Sequence, residues 1–423
     1  MVETGAARKP IVSKTRTKTV FLHLGPAKTG SSALQQFLQA NEALLDQLGV
    51  SYPLPLRKRE SANHSPLAWI LVNKHVSRAI PDDGGTYIER QEEHIAELRQ
   101  AIVTSKNAKI VLSSEELFDL NGDAIDELLG ILEGTSVKAI LYVRNLEAVA
   151  RSVASQQVKW LRDDGVDYRL ARICGFALGY LSLYAPGGGD RFNLWVRKIG
   201  RNNVVFRKYG ARFFHGGTIY SDFLDALDVP ASDCFEYPPN RDRVNPSLRF
   251  SETIHVKDIL NRMGLSTDQG PIVRHLVGWE QEHPGTAFTL PDGGDEKVRH
   301  KAHRIHAHLL DTVLDSSFGE CLDQTAPSTA STGSYRLDYS TFNAIVGYLS
   351  EQIQGFDREV MDAIVAALDL QYEKRLGAVQ GSKFFRYRAA DAVANALESA
   401  LRSHPRVRRI AKRCVAFLVH RMT

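Results

Sequence analysis

Residues 18–35 read Lys-Thr-Val-Phe-Leu-His-Leu-Gly-Pro-Ala-Lys-Thr-Gly-Ser-Ser-Ala-Leu-Gln, and the fold turns on how this stretch is parsed. Lys18 to Leu24 is a short apolar strand that stops at Gly25. From Ser31 onward the apolar residues Leu34, Phe37, Leu38, Leu44, Leu45 and Leu48 recur at helical spacing. The order is therefore strand, glycine-bearing loop, helix.

Working outward, residues 109–113 (KIVLS), 138–143 (KAILYV) and 203–209 (NVVFRKY) are further apolar runs. Their continuity suits strands of a parallel sheet buried on both faces, where an alternating pattern would suit a sheet with one wet face. Between them, Leu146, Val149, Ala150, Val153 and Ala154 resume the helical period. The alternation predicts an α/β fold, a parallel central sheet flanked by helices. Residues 1–18 carry Arg8, Lys9, Lys14, Arg16 and Lys18 with little apolar content and read as a flexible basic arm. Residues 19–380 read as the α/β domain, with 250–380 mainly helical and a candidate cap. Residues 163–189, with Gly187, Gly188 and Gly189, read as a loop near the site, and 325–333 as a surface loop or boundary.

The chain has 423 residues, 43% of them hydrophobic, enough for a sizeable core. It offers neither a run of about 18 apolar residues nor a secretory leader, so a soluble, cytoplasmic protein is expected. Cys174, Cys234, Cys321 and Cys414 lie far apart, which indicates neither a disulfide framework nor a metal site. The net charge of +4 is unevenly placed: residues 383–423 hold ten Lys or Arg against Asp391 and Glu398, leaving the rest of the chain net acidic. After Pro405 the basic residues interleave with Val407, Ile410, Val415, Phe417, Leu418 and Val419. Residues 381–423 thus read as a basic amphipathic helical tail, a C-terminal extension that either lies on an anionic membrane surface or docks on its own domain. No nucleic-acid module is visible.

Gly25-Pro26-Ala27-Lys28-Thr29-Gly30-Ser31-Ser32 sits between strand and helix, where free N–H groups and the helix dipole favour an anion. Lys28 adds a cation, Gly30 permits close backbone approach, and Ser31 and Ser32 offer hydroxyls. Gly25 and Gly30 have the spacing of an ATP-binding P-loop, but position 31 is Ser where that loop needs Lys. The arrangement, with Pro26, Lys28, Thr29, Gly30, Ser31 and Ser32, resembles the donor-binding loop of the sulfotransferase superfamily. A second stretch resembles it too: Leu141-Tyr-Val-Arg144-Asn145 is followed by Ser152, eight residues after the arginine. In that superfamily such a pair holds the 3′-phosphate of the donor, 3′-phosphoadenylyl sulfate. Leu146 stands where the family often has proline.

The resemblance covers roughly residues 19–250 and is nearest to bacterial carbohydrate sulfotransferases. It implies a P-loop-NTPase-like fold, a glycan or glycolipid acceptor, no metal, and donor contacts from Lys28, Thr29, Gly30, Ser31, Ser32, Arg144, Ser152 and Tyr209, the last as an aromatic near the adenine. Lys28 is assigned the leaving-group charge. For the base, residues 111–118 (VLSSEELF) deliver Glu115 to the end of a buried strand. Glu116 and His64 are the alternatives, His64 because imidazole titrates near neutrality. His23 alternates toward a buried face and reads as structural. Trp69, Trp160 and Trp195 are candidate sugar-stacking surfaces or core. Two rival readings stand beside this one: a P-loop-type nucleotide kinase and a non-catalytic nucleotide- or membrane-binding protein.

Overall fold

The computed structural model describes residues 17–352 apart from 59, 76–84, 161–169, 187–188, 238–247, 249, 263–268, 287, 289, 291–293 and 324–338. Most of the N-terminal arm, the 325–333 loop and the whole basic tail therefore lie outside the described residues. The described residues form two compact units, one drawn from 1–144, 187–239 and 309–322, the other from 145–186, 240–308 and 323 onward.

The first unit holds strands β1 (Thr19–His23), β2 (Val50–Ser51), β3 (Lys109–Ser113), β4 (Ser136–Val143) and β5 (Val204–Lys208), ordered β2-β3-β1-β4-β5 with every neighbour parallel. Helices α1 (Ser31–Ala40) and α2 (Glu42–Gln47) connect β1 to β2. Helices α3 (Ser65–His75), α4 (Gly85–Glu89) and α5 (Gln91–Thr104) lie between β2 and β3, and α6 (Gly122–Ile131) between β3 and β4. Then come α7 (Leu146–Trp160), α8 (Leu170–Leu181) and α9 (Arg191–Ile199) before β5, and α10 (Ile219–Ala226) after it. The remaining described elements are helical: α11 (Ser251–Arg262), α12 (Gln269–Glu282), α13 (Gly294–Thr312), α14 (Gly319–Leu322) and α15 (Tyr339–Gln352). This is the α/β parallel sheet that the alternation predicts.

The core explains why the strands read as continuous apolar runs. On one side Phe21, Val111, Ile140 and Tyr142 pack with Leu34, Phe37 and Leu38 of α1 and Phe223 and Leu224 of α10. Val20, Leu22, Ile110, Leu112 and Leu141, on the opposite faces of the same strands, are buried as well. Each such side chain contributes about 1.5–3 kcal/mol by leaving water. In the second unit α7, α11, α12 and α15 pack together, with Ile254, Val256, Leu260, Leu276, Ile345 and Leu349 buried. Arg151 ties α7 down, pairing with Glu147 and with Asp295 at 2.9 Å each. No described helix is long and apolar enough to cross a membrane.

Two elements correct the sequence reading. β2 is only two residues long, too short to leave a hydrophobic pattern. Part of the 163–189 segment, read as a loop, is helix α8, with Ile173, Ala177 and Leu181 buried one turn apart. Gly175 and Gly179 sit between them and mask the period.

Candidate active site

Because β1, β3, β4 and β5 run parallel, the segments that follow them leave from one carboxyl edge, where open α/β sheets bind ligands. The Gly25–Gly30 loop follows β1, Glu115 follows β3, Arg144 follows β4 and Tyr209 follows β5. All four belong to the first unit.

The loop is held in an unusual shape. Lys28 has φ 70° and Gly30 φ 85°, both left-handed, and Gly30 opens α1 without a side-chain cap. Glycine accepts that conformation freely, whereas lysine is strained by about 1–2 kcal/mol. Two bonds hold the shape. Thr29 Oγ1 donates to the Pro26 carbonyl at 2.6 Å, and Arg144 Nη1 donates to the Lys28 carbonyl at 2.5 Å. The first turn of α1 carries no acidic residue, so its free N–H groups and dipole present a net positive end.

Lys28 is half-buried, and burial lowers its ammonium pKa most; Glu115 raises it and Arg144 lowers it further. Burial likewise draws down the Arg144 guanidinium, which lies 5.1 Å from the Tyr209 ring centre. Tyr209 is buried, and its N–H donates to the Val143 carbonyl at 2.7 Å, so β5 fixes the ring against the end of β4. The Cys321 thiol donates to the same carbonyl at 3.2 Å.

Glu115 starts a turn of 3₁₀ helix, Glu115–Leu117, capped by Ser114 Oγ, which accepts from the Glu116 N–H at 3.2 Å. Burial raises the Glu115 pKa, while Lys28 and the Ser31 hydroxyl pull it back and Asp119 raises it again. Asp119 also acts on Arg191 of α9, whose guanidinium burial otherwise lowers. The pair Asp119 and Arg191 extends the charged cluster beyond what sequence reasoning reached, since spacing alone does not bring α9 to the end of β3.

The remaining predicted residues fall differently. Thr29 is buried with its hydroxyl spent on Pro26, and Ser32 is half-buried. His64 is fully buried: its Nδ1 accepts from the Ser113 N–H at 3.2 Å and its Nε2 donates to the Pro53 carbonyl at 3.1 Å. Burial pushes its pKa down to about 3, and both ring nitrogens are engaged by backbone, so no lone pair is left to take a proton from an acceptor. Ser152 is half-buried on α7, in the second unit. Trp69 and Trp195 are core residues, Trp195 with no exposure at all, so neither offers a face to a sugar. Among the described residues no His, Cys, Asp and Glu cluster has the makings of a metal site.

No family model matches the chain. An uncharacterized protein of Archaeoglobus fulgidus is 24% identical over 187 residues, which is 43% of this chain and 48% of that protein, so the chain spans about half the length of the curated relative it matches. Among solved structures the chain is similar to a sulfotransferase domain from the curacin biosynthetic pathway, at 13% identity and a TM-score of 0.34, over 70% of this chain and 98% of the other. Likeness of that order is too loose to transfer the role of any residue.

The sequence also understated His23. It is buried on β1, in register with Ser113 of β3, and its Nδ1 lies 2.8 Å from Ser113 Oγ. Gln35 Nε2 donates to the same oxygen at 3.3 Å. Only the register of two strands distant in sequence reveals this array.

Proposed function

We propose that this chain is a sulfotransferase that takes a sulfuryl group from 3′-phosphoadenylyl sulfate and passes it to a hydroxyl of a carbohydrate or glycolipid acceptor. One observation carries the reading: Lys28, Glu115 and Arg144 meet at the carboxyl edge of the sheet, where Lys28 feels both of the others and Arg144 bonds the Lys28 carbonyl.

The loop N–H groups and Lys28 receive the donor's 5′-phosphate, and Arg144 receives the 3′-phosphate. Tyr209, already beside the Arg144 guanidinium, is the adenine-side aromatic. Glu115 takes the acceptor proton as the acceptor oxygen bonds to sulfur. The bond between sulfur and the phosphate oxygen breaks, and its electron pair leaves on that oxygen, beside the Lys28 ammonium. A positioned base is worth about 10²–10⁴ in rate, and a pKa raised by burial brings Glu115 nearer the working pH. A P-loop kinase would instead need lysine at position 31, where this chain has Ser31.

The test is calorimetric titration of adenosine 3′,5′-bisphosphate, without magnesium, into wild type and Arg144→Ala. Binding by the wild type that weakens about tenfold or more in the variant supports the reading, since hydrogen bonds to a charged group are worth about 1.5–3 kcal/mol. Wild type that ignores this nucleotide and binds ATP with magnesium overturns it in favour of a kinase.

A further inference from the structure

Beneath the loop two polar atoms are buried without a formed hydrogen bond among the described residues: His23 Nε2 and Ser31 Oγ. His23 has no exposure and Ser31 almost none. The two atoms surround one point. A Cβ placed on Gly25 would sit 3.0 Å from His23 Nε2 and 2.4 Å from Ser31 Oγ. The Ser31 hydroxyl also faces Glu115, whose pKa it helps to hold down. A buried polar atom left unpaired costs stability, and two of them converging under an anion loop call for a shared use.

We propose that His23 is a positioning residue of the donor site, joining its Nε2 to Ser31 Oγ when an anion occupies the loop and so fixing the Ser31 hydroxyl for that anion. The inference rests on the donor-site reading above. An anion on the loop N–H groups competes with Glu115 for Lys28 and offers the Ser31 hydroxyl a better acceptor. The contact uses the tautomer with its proton on Nε2: the Ser31 hydroxyl gives its one proton to the anion and accepts from the ring, whose Nδ1 accepts from Ser113 Oγ. The ring's far side is anchored at Ser113 Oγ, which Gln35 also holds, so the imidazole cannot swing away from the loop. Burial pushes the His23 pKa down to about 3, so the ring acts as a neutral hydrogen-bond partner and brings no charge to the site. Gly25 is the residue that leaves room for the contact.

The experiment is a double-mutant cycle on adenosine 3′,5′-bisphosphate affinity, with wild type, His23→Phe, Ser31→Ala and the double variant, together with ¹⁵N NMR of the histidine ring nitrogens. Each single change is expected to weaken binding about tenfold, the double change no more than either alone, and the His23 Nε2 resonance to move on saturation. Additive losses with an unmoved resonance overturn the proposal, and then wild-type binding that Arg144→Ala abolishes leaves the donor reading intact. Wild type that does not bind the nucleotide overturns both. If His23→Phe does not fold, the wild-type Nε2 resonance decides alone: movement supports the contact and its absence refutes it.

Discussion

Gly25→Ala isolates the crowding beneath the loop. Gly25 is not in the left-handed region, so the cost is one of space and not of backbone strain. The new methyl would lie 2.4 Å from Ser31 Oγ, 3.0 Å from His23 Nε2 and 3.3 Å from His23 Cε1. The Ser31 hydroxyl can rotate away, but the imidazole is held at Ser113, so the loop backbone must yield. Overpacking of this kind costs about 1–3 kcal/mol. Gly130→Ala is the control: it lies in α6 with nothing within 4 Å of its Cβ, and should be neutral or stabilising by up to about 1 kcal/mol. Urea unfolding measures both, and calorimetry measures adenosine 3′,5′-bisphosphate affinity. Gly25→Ala should lose both stability and affinity, and adding Ser31→Ala should recover part of the stability by removing the closest contact without restoring affinity. A Gly25→Ala protein as stable as wild type, with affinity within twofold, would refute the geometry argued for the loop.

Glu115→Gln should lower kcat about 10²–10⁴-fold while nucleotide affinity tightens, because Lys28 loses its competing carboxylate, and the wild-type rate should fall as pH drops through the raised Glu115 pKa, a limb that the pH–rate profile of the variant lacks. Lys28→Gly and Lys28→Ala should lose the same rate, but the glycine variant should be more stable by about 1 kcal/mol in thermal unfolding, because φ 70° suits glycine. His64 has its pKa depressed to about 3, so the fold favours its neutral form, and that stability is complete above the unfolded value of 6.5 and lost as pH falls toward 3. Denaturant unfolding in a pH series should show this loss at about 1.4 kcal/mol per pH unit for each such histidine, and His64→Gln should remove one share of the slope while leaving the acid limb of the pH–rate profile in place.

The fold was legible where local pattern and sheet burial agree. β1, the loop and α1 announce themselves because an apolar run ends abruptly at Gly25 and the period changes at Ser31. β3, β4 and β5 were legible for the same reason, since strands buried on both faces carry no polar interruptions. β2 escaped because two residues make no pattern, and α8 because Gly175 and Gly179 imitate a loop. At the site, the residues that follow strands (Lys28, Glu115, Arg144, Tyr209) could be placed at one edge from topology alone. The rest depended on burial and register. His64 looked like a base because imidazole titrates near neutrality, but it sits where backbone groups take both nitrogens. His23 looked structural because its side chain faces inward, yet inward here means under the loop.

The charges at the sheet edge are balanced in a way that suits transfer from a polyanionic donor. Without ligand, Glu115 partly neutralises Lys28, which softens the cost of a half-buried ammonium next to the Arg144 guanidinium. Donor phosphates would take over that neutralising role and add negative charge near Glu115. The Glu115 pKa, already raised by burial, would then rise again as its favourable interaction with Lys28 is shared. In the proposed reaction the carboxylate would become a stronger base only once the donor is in place, which would tie proton removal from the acceptor to a loaded site. That coupling requires Glu115 and Lys28 to be close enough to feel each other, as they are here, and it would be lost if the base stood on a different edge of the sheet.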